Sequence, residues 1–467
     1  MASSLFGILN TARSALVAHQ YASRVVGHNI SNATTEGYSR QRAEMVQATP
    51  VATPYGSLGT GVQVVDVTRA RDTLLDASVR RESASAAEHR TRYELLGLVE
   101  SSLGEPGDTG LAAALDAFWN AWSDLANDPS SIGARIAIRA RGQALVDRFH
   151  HLSAVIDQTR DFAVSKIGAA VGELNELAQA IARLNERIIA AESGGTSAPD
   201  LRDERDRLLD RMASLVDIQV IERENGGIGV YVQGVSLVDG IHASVVEVDS
   251  TAGRLTLHTA KGTGLPAPGG TLGALLGVVN DDLPARQAEL DRLARAIVQH
   301  VNSLHAGGTN PQGQTGVAFF EDYGDPTLVS VTARTISLST VVAADATAIA
   351  AGTAGPNGEY RPGANDVARA LAQLRDTPET VHLGNRTIGD AYANWVSELG
   401  LAVASARDAA TVHQTLAENA EARRASVSGV QTDEELVRLI QFQSAYAAAA
   451  RVVTTADEML QSLLNMV

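Results

Sequence analysis

The chain has 467 residues, room for about two to four domains, with no cysteine and a formal net charge of −16 from 38 basic and 54 acidic side chains. Missing thiols exclude disulfide frameworks, thiolate metal sites and cysteine nucleophiles, and they suit a protein that works outside the cell. An acidic balance without a basic cluster, and only 4% aromatic residues, leave no electrostatic or base-stacking means of holding nucleic acid.

No apolar run approaches the roughly 18 residues of a membrane span, so no membrane insertion is expected. The stretch MASSLFGILNTARSALVAHQ lacks the basic start, compact apolar core and cleavage site of a conventional signal peptide. The protein is therefore expected either in the cytoplasm or exported by a route that removes nothing.

A first helix carries Leu5, Leu9, Ala12, Leu16, His19, Ser23, Val26 and Ile30 on a four-then-three stripe, the spacing of coiled-coil helices. It stops in HNISNATTEGYSRQ, residues 28–41, which holds Asn29, Asn32, Gly37 and Tyr38. Asn29 and Asn32 each open a glycosylation-type triplet, but nothing points to a secretory route that would use them. Asn and Gly also suit a turn needing positive φ, and that reading predicts an outward turn of the chain.

Leu111, Leu115, Phe118, Trp122 and Leu125 predict a helix over 109–127. From 131 to 193, Leu145, Phe149, Leu152, Ile156, Leu174, Leu177, Ile181, Leu184 and Ile188 predict a rod of about 90 Å, with Gly168 and Gly172 as kink points. RDERDR at 202–207 alternates in sign and reads as a solvated helix face. Alternating Ile228, Val230 and Val232, then SVVEVDSTAGRLTLHT, mark hairpins within 217–272. Helical stripes return at Leu290, Leu293, Ile297, Val301 and Leu304. After an irregular stretch at about 306–364 they return at Ile388, Tyr392, Trp395, Leu399 and Ala402, opened by Thr387-x-x-Asp390. The last helix opens with the capping box Thr432-x-x-Glu435 and carries Leu436, Leu439, Tyr446, Ala450, Val453, Leu460 and Leu464.

The expected fold is mainly α with a β insertion: terminal helices paired as a coiled coil, a long-helix bundle body and a small β-rich outer domain. The expected divisions are 1–60 and 425–467 as halves of an inner domain, 61–216 and 273–424 as the helical body, and 217–272 as the β insertion. Residues 1–42 hold four Arg and one Glu, net +3, while 428–467 hold two Arg and five acidic groups, net −3. The terminal stripes are rich in alanine, which buries little area per residue. Pattern alone fits an intramolecular pair or a multi-subunit bundle equally.

Catalytic, cofactor and metal sites are all expected to be absent. No HExxH, GxSxG or phosphate-loop pattern occurs. His300 and His305 lie on different helix faces, and the His150-His151 pair diverges. Asp281-Asp282, ahead of Pro284, reads as a helix cap, and Trp119, Trp122 and Trp395 read as core. An enzyme in the β insertion, using carboxylates such as Asp239 and Glu247, is the rival reading; about 55 residues is small for an active site with its own core.

The opening segment SLFGILNTARSALVAHQYASRVVGHNISNATTEGYSRQ resembles the N-terminus of bacterial flagellar axial proteins, where a helix ends in an NIxNxxTxGY-type loop. Ser39-Arg40-Gln41 and the C-terminal SGVQTDEELVRLIQFQSAYAAAARVVTTADEMLQSLLN narrow the resemblance to the junction proteins between hook and filament, rather than hook, rod or filament proteins. Glu36 departs from the proline that relatives often carry. APDLRDERDRLLD and GGTLGALLGVVND extend the likeness loosely, the β insertion matches as a variable region, and a large outer domain of some relatives is not found.

The resemblance implies a non-enzymatic structural protein of the flagellum, exported without a cleaved signal and monomeric before it forms a ring. The implied partners are further copies, the hook protein, the next hook-associated junction protein and an export chaperone. The N-terminal assembly surface would be Leu5, Leu9, Leu16, Val26, Ile30 and the loop Asn29, Asn32, Gly37 and Tyr38. That loop would take its turn in the assembled tube, with Tyr38 against a neighbour. Leu436, Leu439, Tyr446, Val453, Leu460 and Leu464 would serve assembly and the chaperone.

Overall fold

A computed structural model describes residues 2–53, 56–251 and 253–464. Helix α1 (Ala2–Ser31) leads into a long antiparallel hairpin. Its outer strands are β1 (Gln41–Gln47) and β4 (Val62–Arg69), and β2 (Val51–Thr53) and β3 (Gly56–Leu58) form its tip. The division expected at residue 60 therefore falls inside a paired unit, because β1 registers Gln41 against Arg69 and Gln47 against Val62. The alternation of VQVVDVTR, residues 62–69, is the signal of the returning strand.

The body holds α2 (Thr73–Ser101), α3 (Leu111–Asn127), α4 (Ile132–Glu192) and α5 (Pro199–Leu215). Helix α4 runs 61 residues, capped by the Ser131 hydroxyl on the Ala134 amide, and continues unbroken through Gly168 and Gly172. At about 1.5 Å per residue it spans some 90 Å. All nine apolar positions singled out along it are buried.

The β insertion comprises β5 (Gln219–Glu222), β6 (Ile228–Val232), β7 (Val235–Asp239), β8 (His242–Ala243) and the hairpin β9 (Val246–Thr251)–β10 (Arg254–Thr259). Strands β5 to β8 form one antiparallel sheet in chain order. The insertion packs on α4, and its Val230, Val232, Leu237 and Leu257 join the same hydrophobic core as the helices. Two asparagines of α4 pin it. Asn175 both donates to and accepts from the Val246 backbone, and Asn185 donates to Ile228 and Gly240 carbonyls.

Helix α6 (Gly270–Gly277) passes through a π turn at Val278–Asp282 into α7 (Leu283–His305). A wider turn suits a proline at 284, which cannot donate to the preceding turn. Asp281 and Asp282 do not cap this helix. They pair with Arg254 and Arg92 instead. Residues 306–364 are irregular apart from α8 (Thr340–Ala344) and a 3-10 turn at Ala346–Ala348, yet densely packed: Phe319 and Phe320 are fully buried against Phe118, and Phe319 also against Trp122. Helices α9 (Asp366–Gln373), α10 (Ile388–Ser428) and α11 (Thr432–Leu464) complete the chain. Helix α10 lies antiparallel to α2, as the pairs Asp76–Arg424 and Glu82–His413 require.

His305, 1% exposed, faces the Val317 carbonyl with Nδ1 (2.7 Å) and the Ala350 amide with Nε2 (3.0 Å), so it is neutral with the proton on Nδ1. Burial lowers its pKa from 6.5 to about 4, against a smaller opposing effect of the Val317 bond. The unfolded chain protonates first on acidification. This stabilisation is complete above the unfolded value and is lost as pH falls towards the folded one, by about 2 kcal/mol between pH 7 and pH 5. Melting of the wild type and His305→Gln across that range should show a flatter pH slope for the variant; parallel slopes would contradict the assignment.

Candidate assembly interface

Helices α1 and α11 pack along each other in opposite directions, with Asn29 beside Glu435 and His19 beside Phe442 (ring centroids 6.1 Å). Leu5, Ala12 and Val26 of α1 are buried, and Leu9, Leu16 and Ile30 are half-buried. A second buried row, Ala18, Ala22, Val25 and Asn29, lies beside the expected stripe; α1 also packs on the β1–β4 hairpin. On α11, Leu439, Val453 and Leu460 are half-buried, whereas Leu436, Tyr446 and Leu464 are 47%, 41% and 74% exposed. Those three point away from the intramolecular contact.

The loop between α1 and β1 is built around Asn29, which is completely buried. Its amide donates to the Gln41 carbonyl (2.9 Å) and Glu435 Oε2 (2.8 Å); its oxygen accepts from the Tyr38 hydroxyl (2.8 Å) and the Gln41 amide (2.9 Å). An asparagine side chain has two donors and two lone pairs, and all four are engaged. Such burial also rules out glycosylation of Asn29. Burial, with Asp200, Asp203 and Glu435 nearby, pushes the Tyr38 pKa up and keeps the hydroxyl a donor. Tyr38 is thus anchored inside its own chain, edge-on to His28. Gly37 adopts φ +73°, where an added Cβ would meet the side chain of Arg207. The turn expected only on assembly is already formed in the single chain. Asn32 stays at the surface and bonds back to His28.

Charge locks this loop to the body. The Ser39 amide donates to Asp203 Oδ2 (2.9 Å). Arg69 of β4 reaches Asp203 (2.8 Å) and Asp206 (2.7 Å). Arg71 grips Asp76 through two bonds, and Arg80 joins Asp206 to Asp210, which also receives Arg424 from α10 (2.7 Å). The RDERDR run is therefore no solvated face: Asp203, Arg205 and Asp206 are buried, because partners from β4 and α2, distant in sequence, come to it. Desolvation would raise the Asp206 pKa, but Arg71, Arg69 and Arg80 together bring it to about 2. Arg205 turns the other way, to Asn185 and the Gly226 carbonyl, and burial lowers its pKa to about 10.

No cluster of three or more potential metal ligands occurs among the described residues. Asp239 pairs with Arg223, and Glu247 lies exposed on a different hairpin.

Comparison with known proteins decides what this arrangement is. Residues 96–320 match the family model described as the flagellar hook-associated protein FlgK helical domain, and 423–466 that of the flagellar basal body rod FlgEFG protein C-terminal. Over 513 aligned residues the chain is 30% identical to flagellar hook-associated protein 1 of Bacillus subtilis, covering 100% of this chain and 99% of that one. This chain belongs to the flagellar hook-associated protein 1 family.

The Salmonella typhimurium flagellar hook-associated protein 1 is 25% identical, with 98% of this chain and 99% of that one covered. Its alignment runs over 559 residues, more than this chain has, so that relative carries segments without a counterpart here. The flagellar hook junction protein FlgK from Burkholderia pseudomallei shares the fold, with a TM-score of 0.66 at 17% identity over 75% of this chain and 100% of that chain. As a hook-associated protein this chain is a structural component of the flagellum and no enzyme. Its place is the extracellular flagellum, and among the described residues no helix is long and apolar enough to cross a membrane.

Removing the Asn29 side chain strands the Gln41 amide and Glu435 in a buried site, at about 1–3 kcal/mol for each unsatisfied group. In limited proteolysis of the purified protein, Asn29→Ala should speed cleavage within 32–41 and in α11 at least tenfold. Gly37→Val should do so more mildly, since φ > 0 costs a β-branched residue about 1–2 kcal/mol. Unchanged cleavage in both variants would show that the loop does not hold the terminal helices.

Proposed function

We propose that the chain forms the junction ring between hook and filament, assembling through α1 and α11 with further copies, with the hook protein on one side and the next junction protein on the other. One observation carries this reading. While paired with each other, α1 still exposes Phe6, Ile8, Val17 and Tyr21, and α11 still exposes Leu436, Val437, Ile440, Val452 and Met459. Large apolar side chains left exposed on both helices of the pair suit an interaction site. Before assembly it is an aggregation hazard, so an export chaperone covers α11, including Leu436, Tyr446 and Leu464, and export removes no segment. The terminal pair continues as a coiled coil among its neighbours, and the β1–β4 hairpin belongs to this inner unit.

Electron microscopy of a strain lacking the chain tests the junction role: hooks without filaments are expected, and normal filaments would refute it. Chaperone affinity should fall at least tenfold when residues 428–467 are deleted; equal affinity would place that site elsewhere.

A further inference from the structure

A cavity of about 750 Å³ opens where β4, α2, α5 and the first strands of the β insertion meet. Arg205, only 1% exposed, forms part of its polar wall, and Leu209, Ile218, Val220 and Ile228 form an apolar one. Arg205 spends Nη1 on the Asn185 side chain and the Gly226 carbonyl. Its buried Nε has no hydrogen-bond partner, and among the described residues Nη2 has none either and the guanidinium makes no ion pair. We propose that this cavity binds a small organic monoanion, a carboxylate on a short apolar body, through the Nε–Nη2 edge of Arg205.

A buried guanidinium needs a counter-charge or a full set of acceptors, and Arg205 has neither. Asp206 acts on it, but Arg69, Arg71 and Arg80 already share that carboxylate, and Arg202 and Arg69 add like charge. The remaining arginines of the cavity are committed elsewhere, Arg71 also to Asp76 and Arg202 to Glu192, except the exposed Arg81, which has no ion pair among the described residues. A carboxylate on the free edge of Arg205 would accept two parallel hydrogen bonds and supply the missing charge. Asp217 and Glu222 line the cavity without an ion pair, at more exposed positions where water screens them. They favour one negative charge over the two of a phosphate. The apolar wall favours an organic body over a bare ion, and the volume is that of an ordinary small-molecule site.

Titration calorimetry of the purified full chain at fixed ionic strength would compare hexanoate with acetate, hexyl phosphate and inorganic phosphate. Hexanoate should bind at one site, at least tenfold tighter than the other three. No binding of hexanoate, equal binding of acetate, or tighter binding of hexyl phosphate would overturn the proposal. Arg205→Lys keeps the charge but loses the two-donor edge, and should weaken hexanoate at least tenfold. That variant also disturbs the bonds to Asn185 and Gly226, so Ala77→Trp serves beside it. Ala77 is exposed on α2 and lines the cavity, so an indole there fills the space and leaves every polar contact in place. Ala77→Trp should weaken hexanoate at least tenfold with melting unchanged, whereas Val381→Trp, outside the cavity, should bind like the wild type. Full affinity in Ala77→Trp would put the anion elsewhere and overturn the cavity. None of these readouts involves flagellar assembly, so the junction reading stands or falls separately.

Discussion

Glu435 and Asn29 are 406 residues apart in the chain and share one hydrogen bond in a site closed to water. Much of the terminal architecture depends on it. A carboxylate buried without partners is strongly disfavoured, and among the described residues Glu435 has the Asn29 amide and Arg438, one turn along its own helix, to satisfy it. Asn29 in turn closes the loop onto Tyr38 and Gln41. The Arg40 amide next to it bonds the Ser428 carbonyl where α10 gives way to α11. The C-terminal helix therefore begins where the N-terminal helix ends, and the two are positioned by the same few polar atoms.

The ion network carries that position into the body. Ser39, Arg69, Arg71, Arg80 and Arg424 converge on carboxylates of α2 and α5. Ion pairs out of water stabilise only modestly over apolar packing, whereas losing a single partner is expensive. Such a cluster favours one relative placement of the inner unit and the helical body over others. In the proposed ring, a small error at this joint would be multiplied at every interface.

The helical body was legible in the sequence because large apolar residues at helical spacing have one outcome. Trp122, Phe149, Ile181 and Leu399 are buried where the pattern places them. Charged positions were not legible in the same way. Asp203 and Asp206 look solvated until Arg69, Arg71 and Arg80, from elements more than 120 residues earlier, arrive beside them. Likewise Asn29 and Tyr38 stood out as a motif, but their bonding needs Glu435 from the other end of the chain. Tyr446 and Leu464 share a stripe with Val453 on paper, yet both are exposed while Val453 is half-buried.

Hydrogen exchange on a chain lacking residues 432–464 tests the shared anchor most directly. The account predicts that the Gln41 amide and the amides of the last turns of α1 lose protection together, while those of α4 keep theirs. Unchanged protection at Gln41 would show that the loop stands without α11, and that the two ends of the chain are not joined through Asn29.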